Sequence, residues 1–175
     1  MAAPEQTAYA GLKSIPRSAW VIALAILFLD QILKELIKSS IPVWGKITVI
    51  DGFFNIVHVL NRGAAFGFLN TQAVSWLPVF FILITGLAVL VIVSLLRRSR
   101  ENGPLYVVAL SSILGGALGN LTDRLRQGVV VDFLDFHIGR FHWPAFNIAD
   151  MAISIGAICL LITFYTRERH ASDSR

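Results

Sequence analysis

Charge is scarce in this chain, and so is cysteine. Of its 175 residues only 15% are Asp, Glu, Lys or Arg, while 55% are hydrophobic. A soluble domain carries about 25% charged residues, so the deficit excludes an ordinary water-facing surface and makes lipid the solvent for much of the chain. The sole cysteine, Cys159, excludes an intrachain disulfide and a thiolate metal cluster, and its hydrophobic surroundings give it a packing role. His58, His137 and His142 do not fall at metal-ligand spacing, so neither metal nor cofactor is expected. The formal net charge of +4 comes from bases that flank apolar segments. That pattern is membrane-flanking charge rather than a nucleic-acid surface. No internal repeat or low-complexity tract is present.

What the chain has in abundance is long apolar runs. A bilayer crossing takes about 20 mostly apolar residues, and four segments qualify, at about 18–37, 73–96, 104–121 and 146–166. The first follows Lys13 and Arg17 as a secretory signal would, but no small-x-small cleavage site follows it, so a retained helix is expected. Lys13, Arg17, Arg97, Arg98, Arg100, Arg167, Arg169 and Arg175 fall on one side of this topology. Lys38, Lys46, Arg62, Arg124, Arg126 and Arg140 fall on the other. The richer side is assigned to the cytoplasm, which puts both termini there. Between helices one and two, Lys46–Val49 and Phe53–Val59 are rich in β-branched and aromatic residues and flank Asp51-Gly52, a hairpin signal. The expected fold is thus an all-α membrane protein: four transmembrane helices and a small extracytoplasmic β element, about 43–68. Residues 1–175 form a single membrane-embedded domain, with Met1–Gly11 and His170–Arg175 disordered.

Two acids stand out against this background. Asp132 follows three valines, and Asp150 lies in Phe146-Asn147-Ile148-Ala149-Asp150. An ionised Asp at the centre of a membrane helix costs about 2.5–3.5 kcal/mol on insertion scales, so acids at such depth usually serve function. The chain leaves the membrane and returns between them, with Pro144 suited to a helix start, so both fall at one outer depth. A close carboxylate pair shares a proton: the ionised partner deprotonates water while the protonated one polarises a carbonyl. The plain alternative is that Asp132 is a solvated loop acid and Asp150 a helix N-terminal acid favoured by the dipole. Residue types alone divide these evenly.

Three further polar clusters accompany them. Gly115 and Gly119 form a small-x-x-x-small packing face, followed by Asn120, Asp123 and Arg124. Arg124 is suited to a carboxylate or a lipid phosphate, with an interfacial anchor as the alternative. Asp30 and Lys34 lie four apart on one helix face, where they neutralise each other as a structural pair. Asn61-Arg62-Gly63-Ala64-Ala65-Phe66 is a small-residue loop after a strand, suited to an extended peptide or simply to a tight turn. A proton-coupled transporter subunit would spread its acids through the membrane depth, whereas Asp123, Asp132 and Asp150 gather at one face. A non-catalytic assembly subunit would explain Gly115 and Gly119 but neither aspartate segment.

Five segments in register resemble those of the lipoprotein signal peptidases, bacterial signal peptidase II. They are Asp30-Gln31-x-x-Lys34, Asn61-x-Gly63-Ala64-Ala65-Phe66, Gly115-Gly116-x-x-Gly119-Asn120-x-x-Asp123-Arg124, Val131-Asp132-Phe133 and Phe146-Asn147-x-Ala149-Asp150. The resemblance implies an aspartic endopeptidase of the bacterial inner membrane; separately, the chain is expected to act as a monomer. Its partners are membrane lipid and diacylglyceryl-modified prolipoproteins, cut just before the lipidated cysteine. Asp132 and Asp150 match the catalytic aspartates. Asn61, Gly63, Asn120, Asp123, Arg124, Asn147 and Ala149 match positions that bind substrate or support the site, and Asp30 and Lys34 a helix-one motif. The stretch Leu134–Trp143 matches no motif, and no role is assigned to His137 or His142.

Overall fold

The computed structural model describes residues 14–63, 76–99 and 102–173. Several expectations lie outside these residues: disorder at Met1–Gly11, the loop residues Ala64–Phe66, a second helix starting at Ala73, and the bases Lys13, Arg100 and Arg175. The described elements are α1 (Arg17–Ser40), β1 (Lys46–Ile50), β2 (Phe54–Asn61), α2 (Leu77–Arg97), α3 (Pro104–Gln127), β3 (Val130–Ile138), β4 (Phe141–His142) and α4 (Ile148–Asp173). The protein is mostly helical, with one small antiparallel sheet ordered β1-β2-β3-β4.

Helix boundaries follow local chemistry. Proline opens α3, where its missing N–H would have no partner anyway. Gly128, left-handed at φ 73, closes it and donates its N–H to the Arg124 carbonyl. Hydropathy ends this helix at Leu121, but it runs on to Gln127, so Asn120, Asp123 and Arg124 all sit on helix. The last helix begins at Ile148 rather than near Phe146, and Pro144 lies outside it. The tail expected to be disordered from His170 continues α4 as helix through Asp173.

By length and composition three helices are apolar enough to cross a membrane: Leu77–Arg97, Pro104–Gln127 and, within α4, Ile148–Arg167. Helix α1 has 24 residues but is interrupted by Asp30, Lys34 and Glu35. Its Trp20, Val21, Leu24, Phe28 and Ile32 face outward, while Ala19, Ala23, Asp30 and Lys34 are buried. Helix α3 is central and packs against α1, α2 and α4. Glycines permit this. A Cβ on Gly115 would lie 2.6 Å from the Ala23 carbonyl of α1, and one on Gly116 would collide with the Ala149 carbonyl of α4. An apolar core of Ala19, Ala23, Ile92, Leu96, Tyr106, Leu110 and Leu114 fills one end of this bundle.

The sheet is larger than the hairpin expected between helices one and two. That hairpin forms, with β1 and β2 joined around Gly52 at φ 72. Strand β3, from the α3–α4 connection, then adds to β2, pairing Val59 with Asp132 and Asn61 with Val130. Asp132 is therefore a buried strand residue, not a solvated loop acid. The segment Leu134–Trp143, which fitted no motif, supplies the rest of β3 and β4. Phe146 then lies against β3, its carbonyl accepting the Phe133 and Leu134 N–H groups at 3.0 and 2.9 Å. This places Asn147 beside Asp132.

Candidate active site

At the end of α3 away from the apolar core, strand β3 and the first turn of α4 bring two carboxylates to one residue, Asn147. Asn147 precedes the first residue of α4, and its Oδ1 accepts the Asp150 N–H at 3.0 Å. In return the Asn147 N–H donates to Asp150 Oδ2 at 3.2 Å. This reciprocal cap satisfies two of the donors that a helix start leaves open. With Oδ1 so engaged, the Asn147 NH2 group points to Asp132 and donates to its Oδ1 at 2.7 Å. The same NH2 lies 3.3 Å from the Val131 carbonyl and 3.2 Å from Asn120 Oδ1. Asn147 is fully buried, so its orientation is fixed by partners rather than by water.

Each carboxylate has a second amide donor. Asn61, the last residue of β2, donates to Asp132 Oδ2 at 2.8 Å. Asn120 on α3 donates to Asp150 Oδ1 at 2.8 Å. The Gly63 N–H donates to Asn61 Oδ1 at 2.7 Å and so holds that amide with its NH2 toward Asp132. Gly63 adopts φ 97, a conformation that favours glycine.

Beneath the amides lies a buried ionic cluster. Lys34 Nζ is 2.8 Å from Asp30 and 2.9 Å from Asp123, and it donates to Asn120 Oδ1 at 3.0 Å. Three acceptors for three ammonium protons leave nothing unsatisfied, which burial demands. Asp30 Oδ1 also accepts the Ala149 N–H at 3.0 Å, adding a cap to α4 from across the molecule. Asp123 accepts from Gln31 at 2.9 Å and from the Val131 N–H at 3.2 Å. Ala149 is fully buried between α1 and α3, where Gly119 and Asp30 leave little room. Among the described residues Arg124 has no ion pair; it donates to the Asn120 carbonyl and lies over the Phe81 ring.

All eleven residues singled out from the sequence thus join one connected cluster. Sequence reasoning missed Gln31 as a member in its own right, although its place beside Asp30 and three before Lys34 puts it on the same helix surface. Phe81 gave no signal, being one apolar residue in a helix of them. Asp135 and His142 form a separate pair at 2.8 Å on the sheet, with Asn55 donating to Asp135 at 2.8 Å. Burial favours the neutral Asp135 carboxyl, but these hydrogen bonds and the two neighbouring histidines hold it below the usual carboxylate range. Among the described residues no three His, Cys, Asp or Glu side chains are grouped to hold a metal ion.

Electrostatics separate Asp132 from an ordinary acid. Burial first, then the charge of Asp150, push its carboxyl up to about 7, against the donors Asn61 and Asn147 and the charge of Lys34. An acid half-protonated near neutrality beside a second carboxylate is able to pass a proton in either direction. A groove of about 540 Å³, lined by Trp143, Phe146, Asp150, Met151, Ser154 and Ile155, runs from Asp150 along α4.

Similarity to known proteins agrees with this geometry. Residues 22–166 match the family described as signal peptidase (SPase) II. A lipoprotein signal peptidase of Nitratidesulfovibrio vulgaris is 49% identical over 144 residues, 82% of this chain and 87% of that protein. One from Maridesulfovibrio salexigens is 45% identical over 147 residues, 84% of this chain and 94% of that protein. A solved bacterial membrane enzyme superposes with a TM-score of 0.76 at 33% identity, covering 88% of this chain and 91% of that one. The chain belongs to the signal peptidase II family and is a membrane peptidase.

Proposed function

We propose that this peptidase removes the signal peptide from diacylglyceryl-modified prolipoproteins, cutting before the lipidated cysteine with water activated between Asp132 and Asp150. The observation that carries this reading is the shared residue: Asn147 donates its side-chain NH2 to Asp132 and its backbone N–H to Asp150, so the two carboxylates lie in one polar pocket. The ionised carboxylate takes a proton from water as its oxygen attacks the scissile carbonyl. The protonated carboxyl gives its proton to the carbonyl oxygen, forming a neutral tetrahedral diol. The C–N bond then breaks as the first carboxyl protonates the leaving nitrogen, and a diol hydroxyl returns a proton to the second. Signal peptide and lipidated amino terminus depart, and the pair again shares one proton.

Membrane placement follows the same logic. We place α1 across the bilayer with the three more apolar helices, because its charged residues Asp30 and Lys34 are buried and paired while its outward face is apolar. The bias of basic residues puts both termini in the cytoplasm and the aspartates at the outer face of the inner membrane. The apolar groove beside Asp150 suits an apolar signal segment that reaches the site within the bilayer. Asn61, Gly63 and the sheet are suited to hold the extended scissile segment by its backbone. The chain works as a monomer and needs no cofactor.

Substrate class is tested by presenting the purified protein with one prolipoprotein in diacylated and unlipidated form. The expected result is cleavage of the diacylated precursor alone, with mass spectrometry placing the cut before the modified cysteine. Equal processing of both would remove lipid recognition from the mechanism.

A further inference from the structure

Phe81 lies on α2, a helix whose Val79, Leu83, Ile84 and Leu87 face outward. Its own ring is half-buried and turned toward the site, where it makes two contacts. On one side it fills the space that a side chain on Gly63 would need, since a Cβ there would collide with Phe81 Cδ2 and Cε2. Gly63 is the residue whose N–H orients Asn61, and Asn61 donates to Asp132 Oδ2. On the other side the Arg124 guanidinium sits 5.1 Å from the ring centroid, within cation–π range. Arg124 interacts electrostatically with Asp150, Asp132 and Asp123. One ring therefore backs both the turn behind the Asp132 donor and a cation that both aspartates feel.

We infer that Phe81 is a positioning residue of the peptidase: its ring braces the Gly63 turn and the Arg124 guanidinium, so that the Asn61 amide stays on Asp132. The inference rests on the reading of Asp132 as catalytic. It requires a flat ring. Leucine retains apolar volume but supplies neither the face for Arg124 nor the plane against which Gly63 lies. Tyrosine retains both. A loosened Asn61 would cost Asp132 one of its two amide donors, and small displacements in a catalytic constellation lower turnover steeply.

The test uses the full chain in detergent, with Phe81→Ala, Phe81→Leu, Phe81→Tyr and Asn61→Ala variants and Val79→Ala as a control on the same helix. Two quantities are read: kcat and KM on a diacylated prolipoprotein, and the titration midpoint of Asp132 by carboxyl-carbon NMR, which needs no turnover. Phe81→Ala and Phe81→Leu are expected to lower kcat about tenfold with KM changing by less than about twofold. Both should also move the Asp132 midpoint upward, because a lost donor disfavours the charged form. Phe81→Tyr and Val79→Ala should keep kcat within about twofold. Phe81→Ala placed on Asn61→Ala should add little, as expected of residues acting in series. An unchanged Asp132 midpoint and kcat in Phe81→Leu would overturn the inference, and so would fully additive losses with Asn61→Ala. Cleavage by an Asp132→Asn variant would instead sink the dyad, and the titration shift would still report whether Phe81 governs the Asp132 surroundings.

Discussion

Asn147 and Asp150 cap each other: the Asn147 side chain accepts the Asp150 N–H at 3.0 Å, and the Asp150 carboxylate accepts the Asn147 N–H at 3.2 Å. The start of α4 and the placement of one proposed catalytic acid are therefore a single arrangement. Asn147→Ala removes the side-chain half of this cap and the short hydrogen bond to Asp132 together. The expected stability loss is about 1–2 kcal/mol, the range for losing a capping side chain. Activity should fall further, by about a hundredfold or more, because the geometry of both carboxylates is disturbed. Thermal unfolding in detergent beside a cleavage assay separates the two effects.

Asp132 gives the pH dependence its sign. Its folded value of about 7 stands above the ordinary 3.8, with burial as the main cause and the charge of Asp150 next. A raised folded value favours the protonated form in the folded protein. Its contribution to stability is complete below about 4 and is lost as pH rises to about 7, at up to about 1.4 kcal/mol per pH unit. Activity should decline as pH rises through and above about 7, where the pair loses its shared proton. A profile of kcat/KM that falls on the alkaline side near neutrality checks this, and one that keeps rising to pH 9 contradicts it.

Lys34 is closed on every side by Asp30, Asp123 and Asn120. Lys34→Met would leave two buried carboxylates without their cation. Breaking such a cluster from one side costs about 3–5 kcal/mol, so the variant should unfold at markedly lower temperature or fail to accumulate. Adding Asp30→Asn to the same chain should recover part of the loss, which a two-variant unfolding series would reveal.

Two glycines make a matched pair. A Cβ on Gly116 would collide with the Ala149 carbonyl, pushing α4 and Asp150 away from α3, whereas one on Gly86 would meet nothing within 4 Å. Gly116→Ala should cost activity. Gly86→Ala should leave activity intact and stabilise α2 by about 0.5–1 kcal/mol, as expected when Ala replaces Gly in a helix. Equal behaviour of the two would contradict the close packing assigned to α3.

The helices were legible because lipid exposure writes itself into long apolar runs, and Asp51-Gly52 marked the hairpin because its turn chemistry is local. The rest depended on contacts distant in sequence. Strand β3 joins β2 from far along the chain, Val130 pairing with Asn61 and Phe136 with Phe54, and its apolar run around Asp132 gives no clue to its partner. Helix α3 outlasts its hydropathy because its final turns carry Asn120 and Asp123 into the polar cluster. Helical spacing paired Lys34 with Asp30, but its second partner, Asp123, comes from another helix. Pro144 was a plausible helix start by type. The cap belongs to Asn147, whose side chain is the one that reaches both acids.

The central claim is that Asp132 and Asp150 together activate water. The direct measurement is the gel-mobility shift of a diacylated prolipoprotein incubated with wild-type protein, Asp132→Asn or Asp150→Asn. Each variant must first be shown folded by its thermal transition in the same detergent. The account predicts that either substitution lowers cleavage by about a thousandfold or more, since an amide neither takes nor gives the proton. Cleavage by either folded variant at near wild-type rate would contradict it.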